Sequence, residues 1–288
     1  MTDIQYEAPD SFDAATALLA KAKGNAKILA GGTDLLVQMK SDLIEPTLLV
    51  DIKKIAETRT ISQEKGGFRI GAAVTGAELG EHEALCAAWP GVVEAAELIG
   101  STQVQGRATI GGNLCNASPA ADSVPAMIAA AAVVSVVGPG GRREVPVENI
   151  AAGPGKTSLK KGEIVASFFL PKRPDRAGDA YLRFIPRTEM DIAVVGVGIN
   201  LALDGDGLCR DARVGLGAVA PTALLVGPAA DALIGTRVDE AALDNLAAAT
   251  SAACKPIDDK RGTIEFRTDV AGVLARRAAS IALQRAGN

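Results

Sequence analysis

Two short segments carry the residues best suited to chemistry. Gly31-Gly32-Thr33-Asp34 follows the apolar run Ile28-Leu29-Ala30 and precedes Leu35. Thr109-Ile110-Gly111-Gly112-Asn113 repeats the design about eighty positions later, and Cys115, Asn116, Ser118 and Asp122 follow it. Consecutive glycines can take φ values closed to other residues, so successive N–H groups turn to one side and form an anion nest. The positive end of the short helix expected after Asp34 faces the first nest, and the Thr33 hydroxyl adds a polar group. Asn113 and Asn116 both donate and accept hydrogen bonds, and Asp122 accepts them from hydroxyls. Either segment alone reads equally well as a tight strand-to-helix turn with no ligand. Together, from two different subdomains, the nests could hold a pyrophosphate between them, and the polar residues after the second would suit a polyhydroxyl chain.

Other chemistries lack their residues. His82 is the only histidine, and its polar run Glu81-His82-Glu83 reads as solvated surface. Mechanisms that need two histidines, and the usual His-rich metal sites, are excluded. A Ser-His-Asp triad would have to use His82, and the sequence has no G-x-S-x-G elbow. Cys86, Cys115, Cys209 and Cys254 are scattered without a CxxC, so neither zinc nor an iron–sulfur cluster is signalled, and they read as reduced, buried thiols. Two segments imitate nucleotide motifs. Gly155-Lys156-Thr157 looks like the end of a P-loop, but Ile150 stands where that motif needs its first Gly, so a turn between strands is expected. Gly215-Leu216-Gly217-Ala218-Val219-Ala220 fits G-x-G-x-x-A, but Pro221 sits where a helix should be continuing. A strand with close backbone packing is expected there.

A chain of 288 residues suggests about two domains, large enough to bury a core without staples. The net charge of −4 argues against a nucleic-acid-coating protein, which should carry a basic face. Glycine is abundant, 31 residues, and aromatics are only 3 %, so any ligand is expected to be held mainly by main-chain groups. The N-terminus shows no signal-peptide pattern, and the longest apolar stretch, Pro125 to Val137, falls far short of a membrane helix, for which about 20 residues are needed. No integral membrane segment is expected, and the cytoplasm is the expected compartment.

Elements follow from spacing and punctuation. Ser11 should cap a helix from Phe12 to Lys23 that Gly24 ends. Strands are expected at 27–30 and 48–51, with a short helix from Leu35 to Lys40 between them. A hairpin around Lys65-Gly66-Gly67, helices near 77–80 and 91–98, and a loop from Ser101 to Asn116 come next. Asp122 or Ser123 should cap a helix to Ala131, before a hairpin (133–137 with 142–147) and a strand, Ile164 to Leu170. The stretch 171–178 reads as a boundary. Beyond it, strands at 181–185, 194–203 and 213–218 should form an antiparallel sheet, followed by helices at 238–253 and 268–284, the last with Arg276-Arg277 on a mostly alanine surface. The expected divisions are 1–57, 58–176 and 177–288. Composition and pattern alone stop at a soluble α+β protein with two candidate anion nests.

The motifs carry further as a resemblance. Residues 28–35 and the segment Ala108 to Pro119 resemble the two FAD-binding motifs of the xanthine dehydrogenase and carbon monoxide dehydrogenase family of molybdenum hydroxylases. The likeness covers essentially the whole chain and includes Gly71 to Thr75, Gln103-Val104, Asp122 and Tyr181 to Arg187. It implies the FAD-binding, or medium, subunit: an α+β, two-subdomain FAD fold of the vanillyl-alcohol-oxidase type, plus a C-terminal antiparallel-sheet domain with helices.

By position, the resemblance puts Ile28, Leu29, Ala30, Gly31, Gly32, Thr33, Asp34 and Leu35 in the first FAD loop. It puts Thr109, Ile110, Gly111, Gly112, Asn113, Asn116 and Asp122 around the pyrophosphate and ribityl chain. Ile99 and Cys115 match positions beside the isoalloxazine ring, and Val165 one that meets FAD through its backbone. Arg183 stands where relatives usually have Lys, which keeps the charge but changes its geometry. The implied cofactor is noncovalent FAD, since His82 lies outside the motifs. The molybdenum cofactor and two [2Fe–2S] clusters are expected only in partner subunits, one large and one small, in a dimer of heterotrimers without nucleic acid. Electrons would pass from the clusters through FAD to a terminal acceptor, with no catalytic acid or base in this chain. A stand-alone FAD oxidoreductase is the alternative, although few aromatics and one histidine equip it poorly.

Overall fold

A computed structural model describes residues 4–287. The first layer is a parallel three-stranded sheet in the order Gln5–Glu7, Leu48–Asp51, Ala26–Leu29, with Tyr6 paired to Leu49 and Ile28 to Val50. Helix Phe12–Lys21 begins at Ser11, whose hydroxyl accepts from the Ala14 N–H, and stops two residues earlier than expected. Gly24 does not end it: a Cβ there would collide with the Thr47 side chain, so this glycine serves packing. Helix Leu35–Lys40 falls at its expected bounds.

The second sheet is antiparallel, in the order Ile61–Glu64, Gly67–Gly71, Ile164–Leu170, Val133–Gly138, Gly141–Pro146. Lys65 and Gly66, with φ of 50° and 76°, make its first hairpin turn. One hydrophobic core joins these two sheets, with Val50, Ile70, Val134 and Phe168 among its buried members. The expected loop from Ser101 to Asn116 is instead largely helical, Thr102–Gln105 and Ile110–Cys115. His82 is half-buried rather than solvated. Its Nδ1 accepts from the Leu85 N–H at 3.2 Å, capping an unexpected helix, Glu83–Ala88, and its ring meets Phe68 edge-on.

The third sheet, Ala177–Phe184, Val195–Leu203, Cys209–Gly217, Leu224–Leu225, is antiparallel throughout. Val195–Leu203 is buried at every position because the sheet is covered on both faces. On one face lies helix Ser123–Ala129, all seven residues buried. A Cβ at Gly215 would collide with the Pro125 carbonyl, so the G-x-G-x-x-A segment is the closely packed strand expected. On the other face lies helix Ile264–Gly287. Its alanines 271, 275, 278, 279, 282 and 286 are buried, and the backbone at Gly178 approaches that of Ala282. The alanine face is therefore the packed face, and Arg276 turns outward to pair with Glu240 and Asp244. Among the described residues, no helix is long and apolar enough to cross a membrane.

Candidate functional site

Strand Ala26–Leu29 delivers the first glycine loop to the edge of its sheet, and Lys53 anchors it by donating from Nζ to the Ala30 carbonyl at 2.8 Å. Gly32 has φ of 83°, but Gly31 does not take the left-handed region. Gly31 is required for another reason: a Cβ there would collide with the Arg107 carbonyl. The first glycine loop is thus pressed against the chain just ahead of the second.

The second segment corrects the nest expectation. Gly111 and Gly112 lie in the first turn of helix Ile110–Cys115, whose cap is Thr109; its hydroxyl accepts from the Gly112 N–H at 2.9 Å. Gly111 lets that helix approach the Ala72 carbonyl, where a Cβ would not fit. The Gly76 N–H donates to the Ala108 carbonyl at 2.9 Å, which docks this segment on the start of helix Gly76–Gly80.

A cavity of about 840 Å³ lies between the two segments. Of the expected site residues, Ile28, Ala30, Gly31, Gly32, Thr33, Asp34, Leu35, Ile99, Thr109, Gly111, Gly112, Asn113, Cys115, Asn116 and Val165 line it. Leu29 and Ile110 are buried and absent from its wall, Ile110 as part of the core of the first two sheets. Asp122 and Arg183 are not in its wall. Arg183 donates from Nη1 to Asp122 Oδ2 at 2.8 Å, and the Tyr181 hydroxyl donates to Oδ1 at 3.1 Å. Asp122 therefore does not use its carboxylate to cap the helix that follows. Burial pushes that carboxyl up to about 6 despite the opposing Arg183 charge. Burial likewise pushes the Cys115 thiol up to about 12, so it stays protonated at neutral pH and is a poor nucleophile.

Several wall residues lie outside the motifs. The hairpin turn at Gly155, Thr157, the loop Leu159 to Glu163 and Gln38 all face the cavity. Gln38 crosses to the second segment, donating from Nε2 to Asn116 Oδ1 at 3.0 Å. The one signal in the sequence was Lys160-Lys161 beside a glycine, a basic pair next to a strand.

These features fit an extended dinucleotide. The volume is in the range of cofactor pockets. Among the described residues, the N–H groups of Gly31, Gly32, Thr33 and Asp34 have no acceptor, and Lys160 adds positive charge to the wall. Ile99, Ile164 and Val165 supply an apolar side.

Residues 2–173 match the FAD binding domain in molybdopterin dehydrogenase, and residues 180–282 the CO dehydrogenase flavoprotein C-terminal domain. The chain belongs to this family of FAD-binding subunits. It is 36 % identical over 283 residues to the carbon monoxide dehydrogenase medium chain of Afipia carboxidovorans, covering 98 % of each. It is 32 % identical over 264 residues to the putative xanthine dehydrogenase FAD-binding subunit of Escherichia coli, covering 91 % of this chain and 90 % of that one. A solved structure of carbon monoxide dehydrogenase from Hydrogenophaga pseudoflava superposes with a TM-score of 0.94 at 35 % identity, over 98 % of each chain. As a family member the chain is a flavoprotein component of an oxidoreductase, and its fold is that of the medium subunit.

Proposed function

We propose that the cavity holds FAD noncovalently and that this subunit passes electrons from the [2Fe–2S] clusters of a small partner, through FAD, to a terminal acceptor. In this reading a large partner carries the molybdenum cofactor and transforms the substrate, and the complex is a cytoplasmic dimer of heterotrimers. The observation that carries the proposal is the meeting of two glycine segments, far apart in sequence, on one donor-rich cavity. The N–H groups of residues 31–34, with Thr109, Asn113 and Asn116, would hold the pyrophosphate and ribityl parts. Ile99, Cys115 and Val165 would border the ring. Asp122 and Arg183 would take part as a pair, beside the helix start that holds Asn113. When bound, FAD supplies a carrier that takes electrons singly and releases them in pairs. The chain's own task is to bind and orient that carrier and to keep water from part of it.

Support for partners comes from the surface as well. Leu36, Val37 and Leu43 stand exposed beside the cavity, 48 %, 60 % and 73 % accessible, an apolar patch of the kind that docking covers. Noncovalent binding is supported by His82, which caps Glu83–Ala88 and is absent from the cavity wall. The test is direct. The purified chain, loaded with FAD, should absorb near 450 nm, at about the usual flavin maximum, and acid precipitation should leave the flavin in the supernatant. A chain that takes up no FAD at micromolar concentration would refute the assignment of the cavity, and flavin remaining on the pellet would refute noncovalent attachment.

A further inference from the structure

Asn113 and Asn116 both line the cavity, and each amide has its oxygen engaged elsewhere. The Asn113 Oδ1 accepts twice from one residue: from the Ser123 N–H at 3.2 Å and from the Ser123 hydroxyl at 2.7 Å. A backbone N–H can only donate, so chemistry settles this orientation, oxygen toward Ser123 and Nδ2 away from it. Ser123 is completely buried at the start of a helix buried at all seven positions, so this anchor is part of the core. The Asn116 Oδ1 accepts from Gln38 Nε2 at 3.0 Å, across a sequence separation of 78 residues. The Nδ2 groups of both asparagines have no acceptor among the described residues.

We propose that Ser123 and Gln38 are positioning residues for the cofactor: Ser123 captures the carbonyl oxygen of Asn113 and turns that amide to the cavity as a pure donor, and Gln38 holds the Asn116 amide in place at the wall. An asparagine left to itself presents a donor or an acceptor with equal ease, and an acceptor facing a diphosphate would repel it. Fixing the Asn113 amide as a donor joins it to the N–H groups of Gly31 to Asp34, so that this side of the cavity is matched to an acceptor-rich, anionic ligand. Neither Ser123 nor Gln38 lies in a glycine motif, and Gln38 comes from the other segment's helix. The same hydrogen bond that holds Asn116 therefore also ties the two walls together.

The inference rests on the reading that the cavity holds FAD, and the experiment separates the two. The full chain is stripped of flavin and titrated with FAD, following flavin fluorescence for Kd and dissociation rate. If the unaltered chain fails to bind, the FAD reading falls and takes this inference with it. Given binding, Gln38→Met should weaken it by about 3- to 10-fold, the cost of losing one neutral hydrogen bond, and Ser123→Ala, which leaves Asn113 only the longer bond from the Ser123 N–H, should weaken it by about 2- to 3-fold. In a double-mutant cycle, Ser123→Ala should have little further effect in an Asn113→Ala background, and Gln38→Met little in an Asn116→Ala background, because each acts through its asparagine. Ser123→Cys, which keeps a small donor, should recover part of the loss. Thermal unfolding of the flavin-free variants identifies any that lose binding by unfolding, and only variants within a few degrees of the parent enter the cycle. Equal losses with and without the asparagine, or no loss with the asparagine intact, would overturn the proposal.

Discussion

Gly31 and Gly111 are needed because the backbone passes close to a carbonyl at each, Arg107 for the first and Ala72 for the second. Gly31→Ala and Gly111→Ala should therefore each destabilise the chain by roughly 1–3 kcal/mol, as overpacking does, and reduce flavin content in the purified protein. Differential scanning calorimetry and the flavin-to-protein absorbance ratio measure both effects, and a Gly111→Ala protein with unchanged melting and full flavin would contradict the packing argument. Cys115 makes a second residue-scale case. With its thiol pushed up to about 12 by burial, the thiolate is scarce, and alkylation by iodoacetamide at pH 8 should be about a thousandfold slower than for an unperturbed thiol. Mass mapping over a time course would show it, and rapid labelling of Cys115 in the native protein would count against it. That glycine and asparagine would matter was legible in the sequence. Which carbonyl each glycine faces, and which way each amide turns, depends on residues tens of positions away.

Among the elements, the junction of helix Pro90–Glu97, strand Ala177–Phe184 and helix Ile264–Gly287 is held by polar groups buried in it. Asp179 is 3 % exposed and accepts from Arg173 Nη1 at 2.8 Å, while Arg285 reaches the Asp179 carbonyl and pairs with Glu94. Burial pushes the Asp179 carboxyl up to about 6, against the pull of Arg173 and Arg285. An unfolded Asp titrates near about 3.9, so the native state binds this proton more tightly than the unfolded one. The stability it contributes is complete below about pH 4 and is lost as pH rises through about 6, on the order of 2–3 kcal/mol in all. Asp179→Asn does not titrate. The stability of the parent minus that of the variant, from denaturant unfolding at each pH, should fall by that amount between pH 4 and 7; a flat difference would reject the shift. Most of these elements were readable from caps and hydrophobic spacing, as Ser11 and the Leu35–Lys40 helix show. The Ser101–Asn116 region was not, because its two short helices are held by docking, including the Gly76 to Ala108 hydrogen bond, rather than by propensity.

At the scale of the molecule, helix Ser123–Ala129 is shared property. Met127 and Ile128 belong to the core of the first two sheets, while Pro125 packs on Gly198 and Gly215 of the third. The same helix begins with Ser123, which holds Asn113 in the cavity wall. Distant strands are thus mechanically linked to the cavity wall. Gly215→Val, which forces the helix away from the third sheet, should cost roughly 1–3 kcal/mol and weaken FAD binding although residue 215 is outside the cavity. Calorimetry and FAD titration of the same sample would check both, and a destabilised variant with unaltered FAD affinity would show the two parts to be uncoupled.

The sequence by itself determined the two glycine segments, most strands and helices, the absence of histidine and CxxC chemistry, and the likeness to FAD-binding medium subunits. All of these are local: they depend on residue type, on spacing within a turn or strand, or on a motif of fewer than a dozen residues. Only the tertiary structure decided that the second glycine pair lies in a helix, that Asp122 and Arg183 hold one another, and that Leu29 and Ile110 are buried outside the cavity wall. It alone brought Gln38, Gly155 and the 159–163 loop into the cavity wall. Those outcomes depend on which surfaces meet after folding, and a backbone contact such as Gly31 on Arg107 leaves no mark in the sequence except the glycine itself.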